Sequence, residues 1–353
     1  MKKLVLLMCA VAVLLLVCAS QPGWAEQYRL VKHFGYLDGW GNAMRFPTGI
    51  FVQEGKGTKY DCDDRCKYLK KGYEAKCRDS AKKDDTRIFV ADWDSHRLEK
   101  YDMDGHLLKR YGDICPMKPY DLVIDNKGAI HSSCEYYDRI RKVNSKGYVA
   151  HVFFPNYTNY AEIGTDLVAS CDDPRGMALC PRGNIVIADY GYRKIFVFDD
   201  QKRYITSFST TVDGDYDALP ETEKKDMDPL PRPIDVAVDG QGNCYVCYNK
   251  VFGVRKFNAQ GQLSSDFPRT LSLPGSEMKL GGLALDRNGS IFVTDMTKCM
   301  VHKISPQGSV VASWGRNGQL PGDFYHPMGI AVDSKDRVYV VDHGNHRVQV
   351  FAP

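Results

Sequence analysis

The chain has no charge excess of the kind that marks a nucleic-acid binder: 47 Lys and Arg stand against 44 Asp and Glu, a formal +3. Beyond its first twenty residues it has no apolar run long enough to span a bilayer. Haem attachment needs C-x-x-C-H, and the nearest approach, Cys244-Tyr-Val-Cys247, is followed by Tyr248, which excludes a covalent c-type haem. No Ser-His-Asp or His-x-x-x-His arrangement stands out. What the chain does have is 43% hydrophobic and 26% charged residues over 353 positions, 21 Tyr and 31 Gly, the composition of a large globular protein rich in strands and tight turns.

The first 25 residues read as a targeting segment. Lys2 and Lys3 form a positive start, Leu4 to Val17 an apolar stretch of signal-peptide length, and Gly23-Trp24-Ala25 puts small residues where a signal peptidase reads. A mature chain starting at Glu26 carries 45 basic against 44 acidic side chains, a net of +1. Lipidation would use Cys18, although Val17 stands where a small residue is expected. The expected location is therefore outside the cytoplasm: periplasm, cell surface or external medium. Twelve cysteines less Cys9 and Cys18 leave ten: Cys62, Cys66, Cys77, Cys115, Cys134, Cys171, Cys180, Cys244, Cys247 and Cys299. An even number in an oxidising compartment suits disulfides. Cys115–Cys134 or Cys134–Cys171, and Cys247–Cys299, are the expected pairs.

A phrase repeats along the chain. His326-Pro-Met-Gly-Ile-Ala-Val-Asp333, Arg337-Val-Tyr-Val-Val-Asp342 and Asn345-His-Arg-Val-Gln-Val-Phe351 have counterparts in five earlier stretches. One register point per copy falls at Gly49, Asp121, Gly176, Asp235, Gly282 and Gly329, at intervals of 72, 55, 59, 47 and 47 residues. Each copy holds three alternating apolar runs and then a fourth, separated by turn residues such as Asn126-Lys-Gly128. Four short antiparallel strands at this period describe a propeller blade. The predicted fold is all-β: a six-bladed β-propeller of four-stranded antiparallel blades, forming one domain over 26–353. The sixth copy stops after its third strand, and Tyr28 to Phe34 resembles a fourth strand, so the N-terminal strand is expected to pair beside His346 to Phe351 and close the last blade.

Pro-x-Gly-Ile-Ala-Val-Asp, then Val-Tyr-Val-x-Asp, then Asn-His-Arg-Val resembles the NHL repeat, over essentially all of residues 26–353; the recurring Trp-Asp of WD40 blades is absent. The resemblance implies a propeller used mostly as a binding platform, with a minority of enzymes, including a lyase of peptide amidation.

Asp92, Asp189, Asp295 and Asp342 end second strands, while Arg97, Arg193 and Arg347 open third strands. An Asp–Arg pair across each loop, helped by His96 or His346, suits a structural device, because it recurs once per blade. Function is then expected where the copies differ. An insertion over 53–86 carries Cys62, Cys66 and Cys77. A link over 209–229 holds seven acids and two lysines, and Asp213, Asp215 and Asp217 alternate as calcium ligands would, but Ala218 and Lys224 break the EF-hand pattern. Near the axis, Asp121 and Asp235 replace glycine and Arg175 adjoins Gly176; Trp93, Tyr136, Tyr137, Tyr190 and Tyr192 occupy the second-to-third-strand loops. These residues are the candidates for binding a cation, a peptide or a sugar. The expected function is a monomeric, non-enzymatic extracytoplasmic scaffold for another protein or peptide, with no nucleic acid and no firm cofactor beyond possible calcium. A metal-dependent lyase or lactonase at the channel mouth is the alternative.

Overall fold

In a computed structural model the chain forms six antiparallel sheets arranged as the blades of a propeller. The structure describes residues 28–35, 44–54, 84–112, 118–135, 138–143, 149–153, 171–199, 203–217, 230–250, 252–271 and 279–353, with a few single positions between. The expected leader over 1–25, the cysteines at 62, 66, 77 and 115, and Tyr136 and Tyr137 lie outside the described residues.

Blades 1 to 6 begin at Pro47, Pro119, Pro174, Pro233, Leu280 and Pro327. These first strands lie side by side around the axis, the sixth against the first. Second strands carry the apolar alternation into both blade faces. Ile185–Asp189, Ile291–Asp295 and Val338–Asp342 are buried along their whole length because a neighbouring blade covers each side. Aspartate sets the first hairpin: Asp125, Asp239, Asp286 and Asp333 each accept two backbone N–H groups of their own turn through one carboxylate oxygen.

Closure follows the predicted route. Arg29–Phe34 pairs antiparallel with Arg347–Ala352, Leu30 opposite Phe351 and Phe34 opposite Val348. Tyr28 stacks on Trp314 of blade 5, ring centroids 4.6 Å apart. The N-terminal strand thus covers an edge that would otherwise offer unpaired backbone. The stalks of the insertion between the first two strands of blade 1 are also tied to blade 6. Asp84 receives Arg337 at 2.6 Å and Lys335 at 2.7 Å, and Glu54 accepts the Ser334 amide at 3.0 Å. Burial acts to raise the Asp84 pKa, but hydrogen bonds from Lys335, Thr86 and Arg337 outweigh it and hold this carboxyl well below the usual range.

Among the described residues blade 4 shows three of the expected four strands, Pro233–Val238, Cys244–Tyr248 and Val254–Phe257, followed by a bridge from Phe257 to Leu263. The chain after Leu263 reads Ser-Ser-Asp-Phe-Pro, which has no alternating apolar run to continue a strand. Phe267, Leu271 and Leu273 instead fold inward, into the core shared with blade 5.

Two expected disulfides are overturned. Cys171, Cys247 and Cys299 are free thiols, as are Cys180 and Cys244. The Cys171 thiol donates to the Asp138 carbonyl at 2.7 Å, and Cys247 is sealed inside blade 4. Cys299 sits in a turn with φ +55°, and its sulfur accepts the His326 amide of blade 6, so it faces away from blade 4. Cys134 is not among the free thiols, and its partner lies outside the described residues.

Candidate site at the channel mouth

The six register points converge at the axis. Gly49, Asp121, Gly176, Asp235 and Gly329 line one small cavity with Thr48, Tyr120 and Met177. The cavity is about 50 Å³, room for one or a few waters and too small for an organic substrate. Asp121 Oδ2 accepts the Met177 amide at 2.8 Å, across the boundary to blade 3, and Asp235 Oδ2 accepts the Leu283 amide at 2.9 Å, across the boundary to blade 5. Each carboxylate fills space left by a missing side chain. A methyl on Gly49 would overlap Asp121, and one on Gly176 would overlap Asp235. The glycines and the aspartates are therefore two halves of one packing arrangement. Burial pushes Asp121 up to about 7. Burial, and then the charge of Asp121, push Asp235 well above its ordinary value.

Above this floor the first residue after each second strand comes to the mouth. The six are Trp93, Glu135, Tyr190, Asn249, Met296 and His343, following Asp92, Cys134, Asp189, Tyr248, Asp295 and Asp342 in matched register with the first strands. Over blades 1 to 4 they form a continuous arc. Trp93 Nε1 donates to Glu135 at 2.7 Å, and Glu135 lies 3.7 Å from Arg175. The Arg175 guanidinium covers Tyr190 at 3.6 Å, and Asn249 donates to the Tyr190 hydroxyl at 3.1 Å. Lys118 stacks on Trp93 at 3.6 Å, while Arg232 lies 5.0 Å from Tyr190 and bonds its carbonyl. Two hydrogen bonds from Arg175 to Asp173 fix the guanidinium, leaving its third nitrogen outside the pair.

The predicted candidates thus separate. Trp93, Arg175 and Tyr190 meet in the arc, with Asp121 and Asp235 beneath. Tyr192 is 43% exposed, and its amide donates to Asp189. Glu135, Lys118, Arg232, Asn249 and His343 were not singled out from the sequence. The readable sign for Glu135, Asn249 and His343 is their position directly after the second strand; Lys118 and Arg232 directly precede the blade-opening proline. His343 Nδ1 donates to the Pro47 carbonyl at 2.9 Å, which leaves Nε2 as the unprotonated nitrogen, and burial lowers its pKa.

The repeat residues are engaged in the fold. Arg97 reaches Asp92 at 3.1 Å and Arg347 reaches Asp342 at 2.8 Å. The same aspartates hold the link entering their blade: Asp92 accepts the Arg45 amide, Asp189 that of Asp172 and Asp342 that of Tyr325. Asp295 instead caps Thr297 and Lys298 within its own turn. Burial raises Asp92 to about 6 and Asp189 to about 7. The two histidines act differently from the expectation. His96 and His346 close their turns with φ near +55°, which swings the imidazole over the boundary, and each Nδ1 accepts an amide of the next blade: Lys118 at 3.0 Å and Phe46 at 3.1 Å. Asp138 clasps Asp173 in the same way at 2.8 Å. Arg193 occupies the equivalent turn position with φ +53°.

In the acidic link, Asp215 faces arginine. It receives Arg255 at 2.7 and 2.8 Å and Arg269 at 3.0 Å, and Asp213 gives its carbonyl to Arg269. Asp217 shares neither contact. Burial acts to raise the Asp215 pKa, but the hydrogen bonds, Arg255 foremost, bring it below the ordinary value. At the opposite face, Asp102, Asp104 and His106 gather in one hairpin, where Lys32 already pairs with Asp104 at 3.1 Å.

Residues 324–351 match the family model of the NHL repeat. No curated protein matches the chain. Among solved structures, virginiamycin B lyase from Staphylococcus aureus is similar over 93% of this chain and 89% of its own, at 12% identity and a TM-score of 0.54. A protein of unknown function from Bacteroides thetaiotaomicron covers 94% of this chain and 73% of its own, at 10% identity and a TM-score of 0.58. A gluconolactonase from Xanthomonas campestris covers 75% of this chain and 81% of its own, at 12% identity and a TM-score of 0.51. At such identities the likeness is one of fold: the chain is a six-bladed β-propeller whose residues 324–351 match an NHL repeat.

Proposed function

We propose that this chain is an extracytoplasmic binding scaffold whose recognition surface is the channel mouth over blades 1 to 4. The observation that carries the reading is the arc from Trp93 through Glu135, Arg175 and Tyr190 to Asn249. It places aromatic faces, a fixed guanidinium and amide groups on one rigid rim. Aromatic and arginine side chains held in place are the usual anchors of protein recognition. The axial cavity beneath is too small to enclose a substrate, so a partner meets the rim rather than a deep pocket. The signal-like stretch over 1–25 supports a location outside the cytoplasm, where the partner is another protein or peptide.

The fold likeness to a lyase and a lactonase gives a second reading, a metal-dependent enzyme at the same mouth. The donor set fits it poorly. The axial carboxylates bind backbone amides, while His343 and His346 are engaged with backbone at the rim. Metal analysis of the purified protein checks this reading, and a stoichiometric tightly held divalent ion would favour it over the scaffold.

The scaffold is tested by affinity capture from the native source, comparing the wild-type chain with Trp93→Ala, Arg175→Ala and a control, Lys127→Ala, in a hairpin on the opposite face. Loss of the same captured protein in both rim variants, with retention in the control, is the expected result. Equal capture by all four proteins sinks the assignment of the mouth.

A further inference from the structure

In blade 5, outside the mouth, three side chains stand in a line. Ser313 lies on the outermost strand, Val310–Trp314, and is exposed. Its hydroxyl is 2.7 Å from Nδ1 of His302, which lies directly opposite on the third strand. His302 is buried, and its Nε2 faces Oδ2 of the buried Asp295 at 3.9 Å. Neither Nε2 nor that Oδ2 has another hydrogen-bond partner. A ring N–H facing a carboxylate is strongly favoured over a lone pair facing it. The proton therefore belongs on Nε2, and Nδ1 is left to accept from the serine.

The same positions in other blades are structural. In blade 6 they hold Asp342 and Gln349, and the Gln349 amide donates to Asp342 at 3.0 Å while also holding the link at Asp323. In blade 1 Glu99 receives Arg97 and Arg110. Among the described residues, His302 makes no such contact with a link; its partners are the serine and the aspartate.

We propose that Ser313 is an activated nucleophile, with His302 as its general base and Asp295 orienting the imidazole, acting on small, unhindered carboxylic esters. Ser313 Oγ bonds to the ester carbonyl carbon as its proton passes to His302 Nδ1. Collapse of the tetrahedral adduct breaks the ester C–O bond, and the leaving alkoxide takes the proton from Nδ1 and departs as the alcohol. Water, activated by the same nitrogen, then releases the carboxylic acid and restores the serine. The substrate is small because the serine sits on an open outer strand. Val311, on the same strand face and 47% exposed, offers the acyl group apolar contact. The 3.9 Å separation is longer than a hydrogen bond, as catalytic contacts often are before substrate arrives.

The experiment treats the full chain with a fluorophosphonate probe, maps the labelled peptide, and follows p-nitrophenyl acetate hydrolysis against pH. Label on Ser313, absent in Ser313→Ala and slowed about a hundredfold in His302→Gln, is the expected result. The glutamine is the residue blade 6 uses at this position, so His302→Gln keeps a donor for Asp295, and an unchanged Tm confirms the fold. No label on Ser313 in the folded wild-type protein overturns the proposal, as does labelling of His302→Gln at the wild-type rate. The rim variants Trp93→Ala and Arg175→Ala leave labelling unchanged, so this site and the binding surface stand or fall separately.

Discussion

Blade 6 and blade 4 solve the same problem with different materials. Blade 6 has the full repeat and borrows its fourth strand from the other end of the chain. At its centre Gln349 bonds Asp342 and the Asp323 carbonyl, and Arg347 holds three carbonyls of the incoming link as well as Asp342. Blade 4 has three strands and a long acidic link, and the position of Gln349 is taken by Arg255, fully buried and bidentate on Asp215. Arg255 also lies 3.7 Å over the Phe252 ring and donates to the Arg269 carbonyl. In these two blades the middle of the third strand is thus the point that grips the segment leading into the blade. A neutral amide suffices where the link is short and regular. A buried guanidinium is used where the link brings its own carboxylate.

Removing the strand 29–34 is the harshest way to break this comparison. It exposes the edge at Arg347–Ala352 and uncovers Phe351 and Val348. The expected outcome is loss of cooperative unfolding and aggregation during purification, checked by calorimetry and light scattering. A soluble, cooperatively melting truncated chain would show that the ring closes without this strand.

Arg255→Met ranks next. It leaves Asp215 buried beside apolar neighbours with only the partly exposed Arg269 as a counter-charge. Breaking such a pair from one side costs about 3–5 kcal/mol, read as a fall in the urea midpoint. Adding Asp215→Leu to Arg255→Met removes the stranded charge and recovers part of the loss. Gln349→Met in blade 6 costs less, about 1–3 kcal/mol, because Asp342 keeps Arg347 and Asn345 as donors.

A third measurement concerns the axis. Burial pushes Asp121 up to about 7 in the folded chain, and burial with the charge of Asp121 pushes Asp235 well above the ordinary value of 3.8. The folded state therefore holds more protons than the unfolded state between about pH 4 and 7. The stability these groups contribute is full below the unfolded value and is lost as pH rises through the folded one. Melting temperature is expected to fall from pH 5 to 8. Asp121→Asn, which keeps an acceptor for the Met177 amide and removes one charge facing Asp235, flattens that fall. A profile identical to the wild type would show that the axial pair does not govern it.

The ring was readable because its signals are repetitive. Gly49, Gly176 and Gly329 mark the inner strands of blades 1, 3 and 6, and the run Tyr28 to Phe34 has the alternation of a missing edge. Blade 4's lost strand was harder to see, since Phe267, Leu271 and Leu273 supply the right apolar content without the period of a strand. The site was legible in part. Arg175 and the two axial aspartates were visible as departures from a repeating glycine pattern. Glu135 and Asn249 gain their meaning only from register, which brings residues far apart in sequence to one rim. Ser313, His302 and Asp295 escaped because a local motif search cannot see a cross-strand pair. Cys247 and Cys299 looked pairable by height along the blade, yet their sulfurs face different blades.

The smallest expected effect sharpens the comparison most. His346 of blade 6 reaches over the boundary to accept the Phe46 amide of blade 1, and its ring stands edge-on to Phe46 at 4.4 Å. His96 and Asp138 make the same clasp at the next two boundaries, and the Cys299 sulfur makes it between blades 5 and 6. Blade 4 cannot: Phe252 and Gly253 occupy its turn, and neither side chain accepts a hydrogen bond. Arg193 of blade 3 cannot either, since a guanidinium only donates. His346→Ala should therefore cost about 1 kcal/mol, with hydrogen exchange rising first at the Phe46 amide. Phe252→Ala should cost more in the blade 4 core and leave the amides that open blade 5 unchanged. Were both substitutions to loosen the following blade equally, the clasp would not be what separates the regular part of the ring from blade 4.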